Sequence, residues 1–389
     1  MSLKTHFARV LAGLGTRQHF CAHSHHPWPD VSLDAQNQAW LDAATLLDGK
    51  WDKVFGEIIP AAQSHLARLL NLPDPATLCF GPNTHELLMR LLSCIDARPF
   101  RVLTTDSEFH SFSRQMRRIE ETGRAQVTRV PVEPFPSFPQ RFMQAMAADS
   151  HHLVFFSQVF YNSGYCIEDL NAIVDAVPQA RTLVVIDGYH GFMAVPTDIG
   201  RLAARAFYLA GGYKYAMSGE GVAFIHCPPG YALQPLDTGW FAGFDDLSQR
   251  DGGATHFPPD GRRFLGATFD PTGLYRFNAV MSWARNHQIS PSTVRTHVSE
   301  LQRGFLASLD DLNHPILARR HLIPPEPLSR GSFLTFRHPD AASLQQQLQR
   351  AQIETDVRHG ALRIGLGIYH DRSDIAELLR RLAQLPNKH

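Results

Sequence analysis

Lys214 has the surroundings of a lysine that does chemistry. The 389-residue chain carries only five lysines: Lys4, Lys50, Lys53, Lys214 and Lys388. Four lie toward the termini, and Lys214 alone falls in a core-like stretch, AFYLAGGYKYAMSGEG at 206–221. Glycines beside it let backbone approach a bound ring or phosphate closely. A desolvated lysine has a lowered pKa, and its neutral amine can form a Schiff base with an aldehyde. Taken alone, the segment is equally compatible with a lysine in a turn.

Asp187 ends the apolar run TLVVID at 182–187. An acidic residue at the carboxyl end of a strand in an open α/β sheet stands where ligands bind. A carboxylate there can keep a pyridine nitrogen protonated, as an electron-accepting ring such as pyridoxal phosphate requires. The alternative is local capping of the strand end. A third segment, Gly81-Pro82-Asn83-Thr84-His85-Glu86, opens a helical pattern. Asn83 or Thr84 can cap that helix, whose unpaired N–H groups suit a phosphate. An ordinary N-cap reads the same way, and the GK[ST] of a Walker loop is absent.

The elements that must position these residues alternate. Helical patterns at 59–71, 85–95 and near 168–177 are interleaved with short apolar runs at 101–105, 153–158, 182–187, 206–211 and 222–227. Continuous apolar runs between helices are the mark of a mostly parallel sheet covered on both faces. After a helical stretch near 291–312 and the Pro-rich HLIPPEPL, the texture becomes strand, helix, strand, strand, helix, a small α+β unit. The expected fold class is therefore α/β. A large domain over 50–285 is expected beside a small domain made of 1–49 and 286–389.

Formal net charge is zero, which argues against nucleic acid or an acidic membrane as partner. No run of about 18 apolar residues occurs, and the N-terminal segment lacks a small-x-small cleavage pattern. Cys21, Cys79, Cys94, Cys166 and Cys227 are scattered without a CxxC spacing, which is cytosolic usage. The cluster His23-Ser24-His25-His26 lacks the i, i+4 spacing of a helical metal site, so no metal is expected. Tyr161-Asn162-Ser163-Gly164 reads either as a turn or as a functional loop at a strand end.

In order and type these residues resemble the fold-type I pyridoxal-phosphate enzymes of the class V aminotransferase group, from about residue 20 to 385, and within that group the kynureninases. Asp187-Gly188-Tyr189-His190 with Ala194-Val195-Pro196 matches D-x-x-H…A-V-P, and Tyr213-Lys214-Tyr215 matches S-Y-K-Y. The resemblance implies pyridoxal 5'-phosphate on Lys214, Asp187 at the pyridine nitrogen, and His190 near the phenolic oxygen. It implies Tyr213, Asn83, Thr84 and Trp240 (in Gly239-Trp240-Phe241) around the phosphate. Phe109 would stack on the ring, and Ser157 and Tyr161 would stand beside it. It also implies a seven-stranded-type sheet and a homodimer in which Thr268 reaches the neighbouring subunit's phosphate. Arg363, in DVRHGALRIG, would bind the α-carboxylate of a small amino-acid substrate, a task suited to a bidentate guanidinium.

Departures fall where a substrate would be read. F-P-[ST]-D becomes Phe109-His110-Ser111-Phe112, LNGGPG becomes AMSGEG, the His after G-W-F-G is missing, and the GT motif becomes Gly266-Ala267-Thr268. The implied activity is hydrolytic Cβ–Cγ cleavage of kynurenine or 3-hydroxykynurenine, with Lys214 as general base. A class V aminotransferase, or another lyase of the cofactor, is the alternative. A cysteine desulfurase needs a nucleophilic Cys well after the lysine, and the last cysteine, Cys227, follows it closely.

Overall fold

The computed structural model describes residues 2–246 and 255–385. Its first strands are β1 (Gln18–His19), β2 (Leu78–Gly81), β3 (Phe100–Thr105), β4 (Ala125–Val130) and β5 (Leu153–Ser157). Then come β6 (Leu183–Asp187), β7 (Ala206–Gly211) and β8 (Ala223–His226). The C-terminal part holds β9 (Leu322–Ile323), β10 (Phe333–Arg337), β11 (Ile353–Glu354), β12 (Asp356–Arg358) and β13 (Ala361–Gly365).

Seven strands form one sheet in the order β2-β8-β7-β6-β5-β3-β4. β8 runs antiparallel to both neighbours, and the other pairs are parallel. Every residue of β5 and β7 is buried, as two-sided helical cover demands. This is the mostly parallel α/β sheet expected from the alternating pattern, with the seven strands that the resemblance implies. The sequence pattern did not reveal β2 or β4. Four residues, LCFG, give β2 too little length for a periodicity, and β4 is an edge strand with exposed Gln126, Thr128 and Arg129 in its interior.

The second sheet is antiparallel, β12-β13-β10-β9. It is accompanied by helices Pro291–Leu312, Ala341–Arg350 and Arg372–Leu382. The long helix starts at a capping box between Ser290 and Thr293 with Pro291 in its first turn, which fixes its N-terminus. The N-terminal residues touch both parts of the molecule. β1 pairs in parallel with β11, while helix Val31–Leu46 packs along helix Thr272–Asn286, where Tyr275 Oη donates to Asp42 Oδ2 at 2.8 Å. Among the described residues, no helix is long and apolar enough to cross a membrane.

Candidate active site

The parallel strands of the large sheet end along one edge, and residues at those ends converge on a cavity of about 360 Å³. Ser157 closes β5 and Asp187 closes β6, paired in register with each other. Such a crevice beyond the carboxyl ends of strands is the usual ligand position in an open α/β sheet.

Lys214 sits in the loop between β7 and β8 and is only 9 % exposed. Gly212 N–H donates to Val222 O and Ser218 N–H to Gly212 O, folding the loop back on itself. A Cβ on Gly211 would meet the Tyr189 phenol at 2.8 Å, so a side chain there would push the aromatic wall away. Lys214 Nζ points between two rings, 5.3 Å from the Phe109 centroid and 5.1 Å from that of Tyr189, and is hydrogen-bonded to His190 Nε2. Burial lowers its pKa below the usual lysine value, with Asp187 opposing. Burial raises the Asp187 carboxyl, opposed by the Tyr189 N–H that donates to Oδ1 at 2.8 Å and by Lys214. His190 is held neutral, first by burial and then by the Lys214 charge.

Helix Thr84–Ser93 begins at the cavity, with Asn83 as N-cap accepting from Glu86 N–H at 3.0 Å. Asn83, Thr84 and His85 all line the space, so the positive end of the helix faces it. Phe109 is 42 % exposed, an aromatic ring held open on the cavity side.

Arg363, from β13, is 3 % exposed. Its Nε donates to Asp356 Oδ1 at 2.8 Å, its Nη2 to Asp356 Oδ2, and its Nη1 to Tyr161 O at 2.5 Å. Three of five N–H groups are thereby used, leaving one on each terminal nitrogen. Asp356 also faces His23 Nε2 at 2.9 Å, and burial holds that imidazole down at about 4. Gly365 makes room for this histidine, since a Cβ there would lie 2.0 Å from His23 Nδ1.

Lys214, Asp187, His190, Tyr213, Asn83, Thr84, Phe109, Ser157, Tyr161 and Arg363 thus surround one cavity. Trp240 and Thr268 do not line it. They lie outside, with Trp240 Nε1 donating to Thr268 Oγ1 at 3.3 Å and the indole 41 % exposed. Of the histidine cluster, His23 lines the cavity with Ser24, and His25 Nδ1 lies 3.0 Å from Tyr213 Oη.

Sequence reasoning missed Asp356, Arg358, His359 and Glu108. Glu108 is buried beneath the site and accepts from Thr105 Oγ1 at 2.7 Å and from Ser157 Oγ at 2.5 Å. Burial pushes its carboxyl up to about 8 despite these bonds. Its position directly before Phe109 was the one available signal.

The residues present fit pyridoxal phosphate. A buried amine, a carboxylate at a strand end, an open aromatic face and a helix N-terminus surround a space of ligand size. His190 Nδ1 is buried without a hydrogen-bond partner among the described residues, a polar atom that a bound group can satisfy.

Comparison with known proteins agrees. The family model described as aminotransferase class-V matches residues 49–378. Isopenicillin N epimerase of Streptomyces clavuligerus is 25 % identical over 350 residues, covering 83 % of each chain. Cysteine desulfurase CsdA of Escherichia coli (strain K12) is 22 % identical over 342 residues, 82 % of this chain and 80 % of that one. Kynureninase of Pseudomonas fluorescens is 28 % identical, over 223 residues that cover 54 % of this chain and 49 % of that one. The solved structure of C-DES, a K223A mutant with glycine linked to its pyridoxal-phosphate cofactor, superposes with a TM-score of 0.82. It covers 99 % of this chain and 100 % of that one at 18 % identity, a likeness of fold. The expected likeness to kynureninase is therefore partial, and relatives with other activities match more of the chain.

Proposed function

The chain belongs to the class-V aminotransferase family and is a pyridoxal-phosphate enzyme acting on an amino acid, and from that premise we propose that Lys214 holds the cofactor and moves the substrate's α-proton. The observation that carries the proposal is the buried Lys214 amine between Phe109 and Tyr189, in contact with His190 and under the field of Asp187.

When bound, the cofactor supplies a protonated ring that accepts the electron pair left at Cα. This chain's residues do the rest. Asp187 holds the proton on the ring nitrogen from the end of β6. Phe109 covers one ring face. Asn83 and Thr84, at the helix N-terminus, and Tyr213 hold the phosphate. Arg363 offers its two remaining N–H groups to the α-carboxylate, with Asp356 fixing the plane of the fork. Lys214, its pKa lowered to about 7 by burial, takes the proton from Cα as general base. Ser157 and Tyr161 stand beside the ring.

For the fate of the side chain we carry forward hydrolytic cleavage of the kynureninase type. Water adds at the γ-carbonyl carbon, the Cβ–Cγ bond breaks, the acyl part leaves as an anthranilate, and Cβ takes a proton to give alanine. The motif run from Asp187 to Lys214 and the partial likeness to kynureninase support this reading. A desulfurase reading lacks a nucleophile: none of Cys21, Cys79, Cys94, Cys166 and Cys227 lines the cavity, and burial raises every thiol. An epimerase or aminotransferase outcome is the second reading, favoured by the longer match to isopenicillin N epimerase. We further propose a homodimer, in which exposed Trp240 and Thr268 contact the partner subunit's phosphate region.

The test is incubation of cofactor-loaded protein with L-kynurenine and 3-hydroxykynurenine, following product fluorescence. Catalytic formation of anthranilate or 3-hydroxyanthranilate that disappears in Lys214→Ala supports cleavage. Racemised or transaminated substrate without cleavage replaces it with the second reading.

A further inference from the structure

Next to Phe109 the cavity carries donors that none of the roles above employs. The Tyr161 ring stands edge-on to Phe109 at 5.4 Å, and the His110 ring lies 5.1 Å from Tyr161 and 6.0 Å from His359. His359 Nε2 is 2.9 Å from Tyr161 Oη. His359 and Gly360 form the two-residue turn between β12 and β13, both at positive φ (49° and 72°), the geometry that hairpin twist favours. That turn is what brings the imidazole onto the phenol.

Arg358, the last residue of β12, lines the same cavity. Its Nη1 donates to Val357 O at 3.1 Å, and its Nη2 lies 3.7 Å from Asp356 Oδ2. Asp356 is already engaged by Arg363 and His23, and Glu108 is turned to Thr105 and Ser157. The guanidinium therefore keeps donors for something in the cavity. The charge of this wall is felt at His110, whose ring is held below the usual imidazole value by burial and then by His359, Arg358 and Arg363.

We infer that Arg358, together with the Tyr161–His359 pair, forms a side-chain subsite that reads an acceptor oxygen on the γ-carbon of the substrate. The inference rests on the placement of the α-carboxylate at Arg363. Both guanidiniums flank the same Asp356, so an acceptor reached by Arg358 lies a short side chain from that carboxylate. An oxygen on Cγ, ketone or carboxylate, meets that spacing. With His359 in the Nε2–H tautomer the phenol accepts from the ring and turns its own O–H into the cavity. On a γ-ketone, these donors draw electrons from the carbon that water attacks.

The experiment compares L-kynurenine (γ-ketone), L-aspartate (γ-carboxylate) and L-norvaline (neither) on cofactor-loaded wild type, Arg358→Gln and Lys214→Ala. Binding is read from the change in visible cofactor absorption, and deprotonation from deuterium uptake at Cα. Wild type prefers kynurenine or aspartate to norvaline by about 10-fold or more in binding, the worth of a charged hydrogen bond. Whichever of the two is preferred identifies ketone or carboxylate. In Arg358→Gln that ratio falls by about the same factor. The Arg358 side chain is 45 % exposed, so its replacement leaves the core intact. A ratio in Arg358→Gln equal to that of wild type overturns the subsite. Exchange lost from all three amino acids in Lys214→Ala supports the assignment beneath it, and a wild type that exchanges none of them overturns that assignment and the inference together.

Discussion

The guanidinium of Arg363 and the carboxylate of Asp356 meet edge to edge, with Nε donating to Oδ1 at 2.8 Å and Nη2 to Oδ2. The contact holds the arginine in one plane and leaves only its outer N–H groups for a ligand. Asp356→Ala removes that partner while Arg363 stays buried. Breaking such a pair costs about 3 kcal/mol, read by denaturant unfolding. The dissociation constant for amino acids rises with it, while cofactor retention is unchanged. Unaltered amino-acid affinity in this variant contradicts the orienting role.

Glu108 tests how the site keeps a second carboxyl near Asp187. With its carboxyl pushed up to about 8, it is mostly neutral at pH 7. Glu108→Gln therefore changes stability by no more than about 1 kcal/mol, whereas Glu108→Ala strands the Thr105 and Ser157 hydroxyls and costs about 2 kcal/mol. The sign with pH follows from the raised value. The unfolded carboxyl loses its proton first, so wild type loses stability relative to Glu108→Gln as pH rises from about 4.5 toward 8. Equal slopes for the two proteins in that window would count against a neutral Glu108.

Buried histidines set the acid limit. Burial holds His26 and His370 down at about 3, with His26 Nδ1 2.7 Å from Pro27 O and His370 Nε2 2.7 Å from His19 O. Below 6.5 the unfolded chain binds protons that the folded chain refuses, so stability falls as pH drops from about 6.5 toward 3. Unfolding curves at a series of pH values check this, and His370→Gln flattens the slope. A His370→Gln slope as steep as that of wild type rules that residue out as a contributor.

The lowered pKa of Lys214 has a kinetic consequence in cofactor-free protein. Only the neutral amine attacks an aldehyde, so the rate of pyridoxal-phosphate capture reaches half its maximum well below the ordinary lysine value of 10.5. Stopped-flow absorbance across pH measures it. A midpoint near that of a free lysine means that the amine is hydrated rather than buried.

Legibility in the sequence followed locality. Asp187 and Lys214 could be found because each adjoins a buried strand whose apolar run is visible by itself, and β5, β6 and β7 lie within a residue or two of those runs. Asp356 could not be found, because its role depends on His23 and Arg363, brought to it by the β12–β13 pairing and by the N-terminal segment. Helices Val31–Leu46 and Thr272–Asn286 also escaped notice. The first buries only Ser32, Ala39 and Asp42, too few to print a helical apolar stripe, and the second is buried nearly all round, which erases the contrast between faces. Trp240 and Thr268 were legible as a motif but not as a location, since their place outside the cavity depends on how the chain packs.

The central claim is that Lys214 carries the cofactor, and chemical trapping tests it most directly. Cofactor-loaded protein is reduced with borohydride, digested and mapped by mass spectrometry. A phosphopyridoxyl group is expected on the peptide containing Lys214, and its loss in Lys214→Ala. A label on Lys4, Lys50 or Lys53 instead, or an unlabelled Lys214 peptide from protein that retains the cofactor, would contradict it.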